Sequence, residues 1–115
     1  MPFYGKMTEN VRSYRTCVHK VVCVQFEWDD EKNEANIRKH GIDFTDVHVM
    51  FQAPMLVDMD DRTEYGEERW IGIGPFYMII AVIVYTERGD DIIRVISARK
   101  ATKYERQRYE QAYPH

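Results

Sequence analysis

Four arginines in the second half of the chain have the side-chain type and placement to act on a phosphate group. They lie on or beside segments with strand-like patterns, at Arg69, Arg88, Arg94 and Arg99. A guanidinium group binds phosphate oxygens two at a time, so several on one concave surface would stabilise a phosphodiester whose charge grows in the transition state. For any one arginine, an ion pair with a carboxylate such as Glu68 is an equally open interpretation.

Strand geometry restricts which of these arginines can act together. Side chains alternate between the two faces of a strand, and Arg94 and Arg99 are an odd number of positions apart. The two can therefore serve one site only if a β-bulge or the end of a strand lies between them.

Two groups could transfer protons, His40 and Glu68. His40 follows Lys39 in the last turn of a predicted helix, where the partial negative charge of the helix end helps the imidazole hold its proton. A purely electrostatic role at the helix end fits the pattern equally well. The histidines show no metal-ligand spacing and no Gly-rich phosphate loop is present, so the sequence predicts neither a metal nor a cofactor.

Positive charge is concentrated near the C-terminus. Residues 92–109 carry six basic side chains and one acidic side chain, a local charge of +5 that includes Lys100. A phosphate-rich ligand would bind there if anywhere, and Tyr104 and Tyr109 could stack on unpaired bases. A solvated helix face and packing in the core are the alternatives for the cations and the rings.

The rest of the charge pattern argues the other way. The chain has a net charge of −3, which is unlike a dedicated polyanion binder. Residues 27–68 contain thirteen acidic and four basic side chains, whereas residues 69–115 carry a net +3. The middle of the chain therefore repels phosphate and the last part attracts it.

The hydrophobic pattern predicts an α+β fold with a mostly antiparallel sheet. Residues 1–20 have neither a strand nor a helix period and are expected to form an extension with little regular structure, ahead of one domain at 21–115. In that domain a strand precedes two helices, three or four strands and a last helix. The predicted segments are a strand at Val21–Trp28, helices ending at Gly41 and at Pro54, strands at 55–59, 68–74, 76–86 and 92–100, and a helix opening with a Thr102–Glu105 capping box.

The longest apolar run, Phe76 to Tyr85, predicts a central strand. It has ten residues, about half of the ~20 that a helix needs to cross a bilayer, so no membrane anchor is expected. The stretch from Glu87 to Asp91 predicts a turn around Gly89. The two cysteines lie outside metal-ligand and redox spacings, which is simplest to reconcile with a reducing cytoplasm.

Four stretches of the chain carry a family resemblance. The first is FEWDDEKNEANIRKHGIDF, and it is followed by ERWIGIG, YTERGDD and RVISARKATKYERQRYE. From about Phe26 to Tyr109 the chain resembles the BrnT family of toxins from bacterial type II toxin-antitoxin systems. The resemblance implies a small RelE-like α+β fold with two helices after the first strand, and a metal-independent ribonuclease that inhibits translation. It also implies a BrnA-like antitoxin, which neutralises the toxin and alone contacts operator DNA.

These observations give one hypothesis for the site. Arg69, Arg88 and Arg99 stabilise the phosphate, and His40 and Glu68 transfer protons. Further substrate contacts are expected from Lys39, Arg94, Lys100, Tyr104 and Tyr109. The acidic stretch at 58–68 is expected to face away from RNA or to meet the antitoxin.

Two other functions fit the same residues. The chain could be a catalytically inactive partner and corepressor of a DNA-binding antitoxin, because its arginines could pair with acidic side chains of that protein. It could also be a stand-alone module that binds single-stranded RNA, with the salt-sensitive affinity of a charge-driven contact.

Overall fold

A computed structural model of the chain describes residues 11–18, 22–62 and 66–114, with side chains from Val24 onward. The described residues form six strands, two α-helices and one 3₁₀ helix. The strands are β1 (Val11–Val18), β2 (Val22–Asp29), β3 (Leu56–Met59), β4 (Trp70–Phe76), β5 (Ile79–Arg88) and β6 (Ile92–Lys100). The helices are α1 (Asp30–His40), the 3₁₀ helix (Phe44–Gln52) and α2 (Lys103–Ala112).

The strands form one sheet in the order β1-β2-β6-β5-β4-β3. Every neighbouring pair is antiparallel except β2 and β6, which run parallel. The predicted α+β class with a mostly antiparallel sheet is therefore confirmed. Because β6 pairs with β2, two strands that are far apart in the sequence lie side by side inside the sheet.

Local capping signals set the ends of α1. The Asp29 side chain accepts hydrogen bonds from the backbone N–H groups of Glu31 and Lys32. At the other end Gly41 has a φ of 74°, the left-handed conformation that glycine adopts without strain. The predicted end at Gly41 is confirmed.

Polar side chains attach α1 to the sheet. The buried Asn36 amide donates to the carbonyls of Ala98 and Ile42 at 2.9 Å and accepts from the Ala98 N–H at 3.2 Å. Asn33 accepts from the Phe44 N–H at 2.8 Å. These bonds fix α1 and the start of the 3₁₀ helix on one face of the sheet. The first core lies on this face and includes Phe26, Trp28, Phe44, Val47, Met50 and Ile83.

The second predicted helix is a 3₁₀ helix. It begins after Asp43, whose side chain accepts from the Thr45 N–H, and it ends before Pro54. Its buried residues are Phe44, Val47 and Met50, each three positions from the next. That spacing fits the three residues per turn of a 3₁₀ helix, which places all three side chains on one line facing the sheet.

The other face of the sheet carries α2. A second core of Ile73, Val82, Ala101 and Tyr109 lies between this helix and the sheet. The predicted capping box is present, because Thr102 accepts from the Glu105 N–H and Glu105 accepts from the Thr102 N–H. The helix thus begins at the position that its sequence indicates.

The interpretation of the apolar run from Phe76 as the start of one strand is wrong. Phe76 ends β4 and pairs with Ile79 at the start of β5, so Tyr77 and Met78 form a two-residue hairpin turn. Tyr77 has a φ of 53°, at a turn position where glycine is usual. Because no Gly, Asn or Asp marks this turn, the sequence pattern does not reveal it.

Two further boundaries differ from the prediction. Val11–Val18 forms β1 and pairs with β2 along its whole length, so the expectation of little regular structure in residues 1–20 is wrong for this segment. The register of an edge strand is set by its partner strand. The residues of β1 show no clear alternation of polar and apolar side chains, so the segment alone does not predict a strand. The strand predicted at 68–74 begins at Trp70 instead, which leaves Glu68 and Arg69 before it.

Several parts of the prediction lie outside the described residues, including residues 1–10 and the histidines at 19 and 115. The division into an extension at 1–20 and a domain at 21–115 stays a prediction. None of the helices in the described part of the chain has the length and apolar character needed to cross a bilayer.

Candidate active site

A β-bulge in β6 places Arg94 and Arg99 on the same face of the sheet. In the register between β5 and β6, Arg94 lies opposite Thr86 and Arg99 lies opposite Val82, with a shift between Val84 and Tyr85. The shift leaves Ile96 as an extra residue in β6. The condition that strand geometry imposes on the two arginines is therefore met.

Arg88 joins this face at the end of β5. It lies opposite Ile92, two positions from Arg94 along β6, and residues directly opposite in an antiparallel pair point to the same side. The sheet therefore brings Arg88 and Arg94 next to each other, on the face that carries α2.

Both arginines contact one carboxylate, that of Glu27. An Nη1 of Arg94 donates to Glu27 Oε2 at 3.1 Å, and Arg88 Nε lies 3.7 Å from the same oxygen. Glu27 is nearly buried, with 8% of its side chain exposed, whereas 31% of the Arg88 side chain is exposed. Two guanidinium groups and one carboxylate leave this cluster with a net charge of +1, in reach of solvent.

The sequence does not point to Glu27. Its place in β2, between the apolar Phe26 and Trp28, indicates only that it faces away from the first core. Its contact with Arg94 depends on the parallel pairing that sets the two residues opposite each other. Strand order is a non-local property, so no local pattern could reveal this contact.

An open cleft of about 480 Å³ borders the cluster. It lies between the end of β5 and the segment before β4. Its lining includes two of the predicted site residues, Glu68 and Arg88, together with Trp70 and Thr86. Thr86 Oγ1 donates to the Glu68 carbonyl at 2.6 Å, which holds this segment against β5. Glu68 and Arg88 thus line the same cleft.

Arg69 lies next to this cleft with 21% of its side chain exposed. Its Nε donates to Glu67 at 3.3 Å, and its carbonyl accepts from the Asp60 N–H at 2.7 Å. The main chain at Arg69 is therefore held in place, while its guanidinium reaches the surface beside Glu67.

Arg99 is bound to α2. Its two Nη atoms donate to the two carboxylate oxygens of Glu105, both at 2.8 Å. These hydrogen bonds, reinforced by the Thr102 backbone N–H, lower the pKa of Glu105 to about 2 and raise the pKa of Arg99. Arg99 therefore lies on the same face of the sheet as Arg88 and Arg94, but its guanidinium is used to attach α2 to the sheet.

The remaining predicted residues lie apart from this cluster, and not all of them are at the surface. His40 and Lys39 are exposed at the end of α1, which packs on the opposite face of the sheet from Arg88 and Arg94. Tyr104 is 69% exposed on α2, whereas Tyr109 is 5% exposed and donates its hydroxyl to the Pro54 carbonyl. Tyr109 is therefore a core residue, and its ring is not available for stacking on a base.

A family model described as a ribonuclease toxin, BrnT, of type II toxin-antitoxin systems matches residues 28–105. The chain belongs to the BrnT family. Its structure is similar to the crystal structure of the ribonuclease toxin BrnT from Brucella abortus, with 33% sequence identity and a TM-score of 0.51. The similarity covers 66% of this chain and 94% of the Brucella protein. No curated protein sequence matches the chain significantly.

The BrnT family match contains almost all of the candidate site. It spans the segment before β4 and the arginines of β5 and β6, and it begins one residue after Glu27. In this BrnT family member, the sheet gathers Glu68, Arg88 and Arg94 at one end and holds Arg69 beside them. It leaves the end of α1 on the other side.

The acidic stretch of this BrnT family member is partly neutralised by arginines. Asp60 is fully buried and forms a bidentate pair with Arg62, at 2.7 and 2.8 Å. Asp58 pairs with Arg108 of α2 at 3.4 Å. The high negative charge of residues 27–68 is therefore reduced locally, which lessens its repulsion of a nearby phosphate.

Proposed function

We propose that the chain is a metal-independent endoribonuclease whose phosphate-binding groups are Arg88 and Arg94, with Arg69 beside them. The observation that carries the proposal is the contact of Arg88 and Arg94 with the one Glu27 carboxylate, which leaves a net positive charge beside an open cleft. Glu67, Glu68 and Glu87 also line the cleft, so a phosphate would be bound there by short-range contacts with the guanidinium groups and not by a net positive field.

The proposed reaction is attack by a ribose 2′-hydroxyl on the adjacent phosphorus. The bond from phosphorus to the 5′ oxygen breaks, a base takes the proton of the 2′-hydroxyl, and an acid protonates the departing 5′ oxygen. Each correctly placed charge donor contributes about 3 to 4 kcal/mol to such a transition state. The guanidinium groups of Arg88 and Arg94 would supply this stabilisation to the phosphate oxygens.

Glu68 is the group that we assign to proton transfer. Glu68 lines the same cleft as Arg88, whereas His40 lies at the end of α1 on the other face of the sheet. General acid or base help of this kind contributes about 10² to 10⁴ in rate. Because Glu68 is exposed, it can exchange protons with water between turnovers.

In the cell, RNA cleavage by this chain would stop translation in the cytoplasm, and a BrnA-like antitoxin would neutralise it. The family match supports an antitoxin partner, since type II systems pair a toxin with a second protein. The antitoxin would bind operator DNA, and the toxin would reach that DNA only through it.

Cleavage of a labelled single-stranded RNA in EDTA tests the proposal. We expect the wild-type protein to release fragments with a 2′,3′-cyclic phosphate, and a 2′-O-methyl group at the cut site should block the reaction. Arg88→Ala and Arg94→Ala should each lower kcat by about 10² to 10³. Arg106→Ala is the matched control, because Arg106 is exposed on α2 and away from the cluster.

A catalytically inactive partner of the antitoxin is the second candidate. The pairing of Arg88 and Arg94 with Glu27 favours it, since a structural ion cluster needs no substrate. Absence of cleavage and of growth arrest on expression, with tight antitoxin binding retained, would replace the ribonuclease proposal with this one.

A further inference from the structure

Glu27 is the one nearly buried carboxylate in contact with the arginine cluster among the described residues. We infer that Glu27 is a positioning residue, which sets the separation and orientation of the Arg88 and Arg94 guanidinium groups toward an RNA phosphate. The inference rests on the proposed ribonuclease function and deepens it.

The sheet geometry explains why one carboxylate can hold both arginines. Glu27 lies directly opposite Arg94 on the neighbouring strand β6. Arg88 lies one strand farther away, on β5, opposite Ile92. With strands about 4.8 Å apart, its long side chain must cross over β6 to bring Nε to 3.7 Å from Glu27 Oε2. The carboxylate therefore draws the Arg88 side chain sideways, toward Arg94.

Electrostatics gives this arrangement a consequence. Two adjacent guanidinium groups repel each other, and the repulsion is strong where burial reduces screening by water. Only 14% of the Arg94 side chain and 8% of the Glu27 side chain are exposed. The negative charge of Glu27 offsets the repulsion and keeps both cations close enough to contact one phosphate.

If Glu27 positions the arginines, its replacement should affect RNA binding and RNA cleavage differently. Replacing Glu27 by Gln keeps the size of the side chain and raises the net charge of the cluster from +1 to +2. Attraction to RNA should therefore be retained or increased, while the guanidinium groups lose the contact that orients them. A residue needed only for folding would instead lower the amount of active protein, without this opposite effect on binding.

The test compares Glu27→Gln and Glu27→Asp with the wild-type protein. Cleavage is measured on single-stranded RNA, and affinity is measured on a 2′-O-methyl oligonucleotide of the same sequence, which lacks the attacking hydroxyl. Asp58→Asn is the control for net charge, because it also removes one carboxylate and its side chain is 63% exposed. The folded fraction of each protein is measured by urea unfolding under the assay conditions.

We expect Glu27→Gln to lower kcat at least tenfold while its affinity for the 2′-O-methyl oligonucleotide is equal or higher, with a steeper dependence on salt. Glu27→Asp keeps the charge but shortens the side chain, so kcat should fall several-fold with affinity unchanged. Asp58→Asn should keep the wild-type kcat.

Two results would overturn the inference in different ways. If Glu27→Gln and Glu27→Asp cleave RNA at the wild-type rate per folded molecule, Glu27 does not position the arginines, and the ribonuclease proposal stands. If the wild-type protein itself does not cleave RNA, the proposed function fails and the positioning role fails with it. Should Glu27→Gln not fold, Glu27→Asp alone decides, because it keeps the negative charge and changes only the length of the side chain.

Discussion

Arg99 and Glu105 form a bidentate ion pair that joins the end of β6 to the first turn of α2, with both nitrogen–oxygen distances at 2.8 Å. Glu105 also accepts from the Thr102 N–H and so completes the capping box. One carboxylate thus caps the helix and attaches it to the sheet. The orientation of α2 over the second core depends on this pair.

Replacing Glu105 by Gln should lower the free energy of unfolding by about 1 to 2 kcal/mol at pH 7, since a charge-assisted pair and part of a cap are lost. The pKa of Glu105 is about 2 in the folded state, below its ordinary value of 4.5. The stabilisation is therefore complete above pH 4.5 and is lost as the pH falls toward 2. Urea unfolding of both proteins between pH 7 and pH 2 should show the difference shrinking over that range. Glu110→Gln, an exposed change on the same helix, should show no such trend.

Arg94→Ala should destabilise the protein more than Arg88→Ala. Arg94 forms the shorter contact with the nearly buried Glu27, at 3.1 Å against 3.7 Å. Its removal leaves Glu27 with the more distant cation, at a cost of about 2 kcal/mol, whereas Arg88→Ala should cost about 1 kcal/mol or less. Urea unfolding at pH 7 measures both values. Equal costs would show that Arg88 and Arg94 hold Glu27 equally well.

Gly74→Ala should destabilise the protein by about 1 to 3 kcal/mol through overpacking against Met55. A Cβ atom at Gly74 would lie 2.7 Å from Met55 Cγ, closer than real Cβ contacts allow. Met55→Ala removes the obstructing atoms, so the double variant should be less destabilised than the sum of the single variants. Thermal unfolding of the four proteins completes the cycle, and strict additivity would contradict the predicted clash.

Asn36→Ala should cost about 2 to 3 kcal/mol, because it leaves the buried N–H and carbonyl of Ala98 and the carbonyl of Ile42 without the side-chain amide that bonds them. Urea unfolding gives the value directly. Glu34→Ala, on the exposed side of α1, is the control and should change the free energy of unfolding by less than about 0.5 kcal/mol.

The sequence predicts best those features that neighbouring residues determine. The start and end of α1 follow from Asp29 and Gly41, and the start of α2 follows from Thr102 and Glu105. Each of these signals acts over a few positions, through a capping hydrogen bond or one backbone angle, so it can be recognised without knowledge of the fold.

The sequence does not predict features that depend on strand pairing. The turn at Tyr77 has no turn residue, and the contact of Glu27 with Arg94 requires β2 to lie beside β6. The bulge at Ile96 shows the boundary between the two kinds of feature. The odd number of positions between Arg94 and Arg99 predicts that the strand must contain an irregularity if the two share a face. Only the register with β5 shows where that irregularity lies.

The parallel pairing of β2 with β6 also has a consequence for biosynthesis. Glu27 and Arg94 are 67 positions apart in the chain, so the ribosome must synthesise β6 before the two can meet. Contacts of such long sequence separation form late, because a large loop must close first. A nascent chain that ends before β6 contains β2 and all of β5, including Arg88, but lacks Arg94 and so has no complete cation cluster. The proposed toxin would thus acquire its phosphate site only after β6 has been translated.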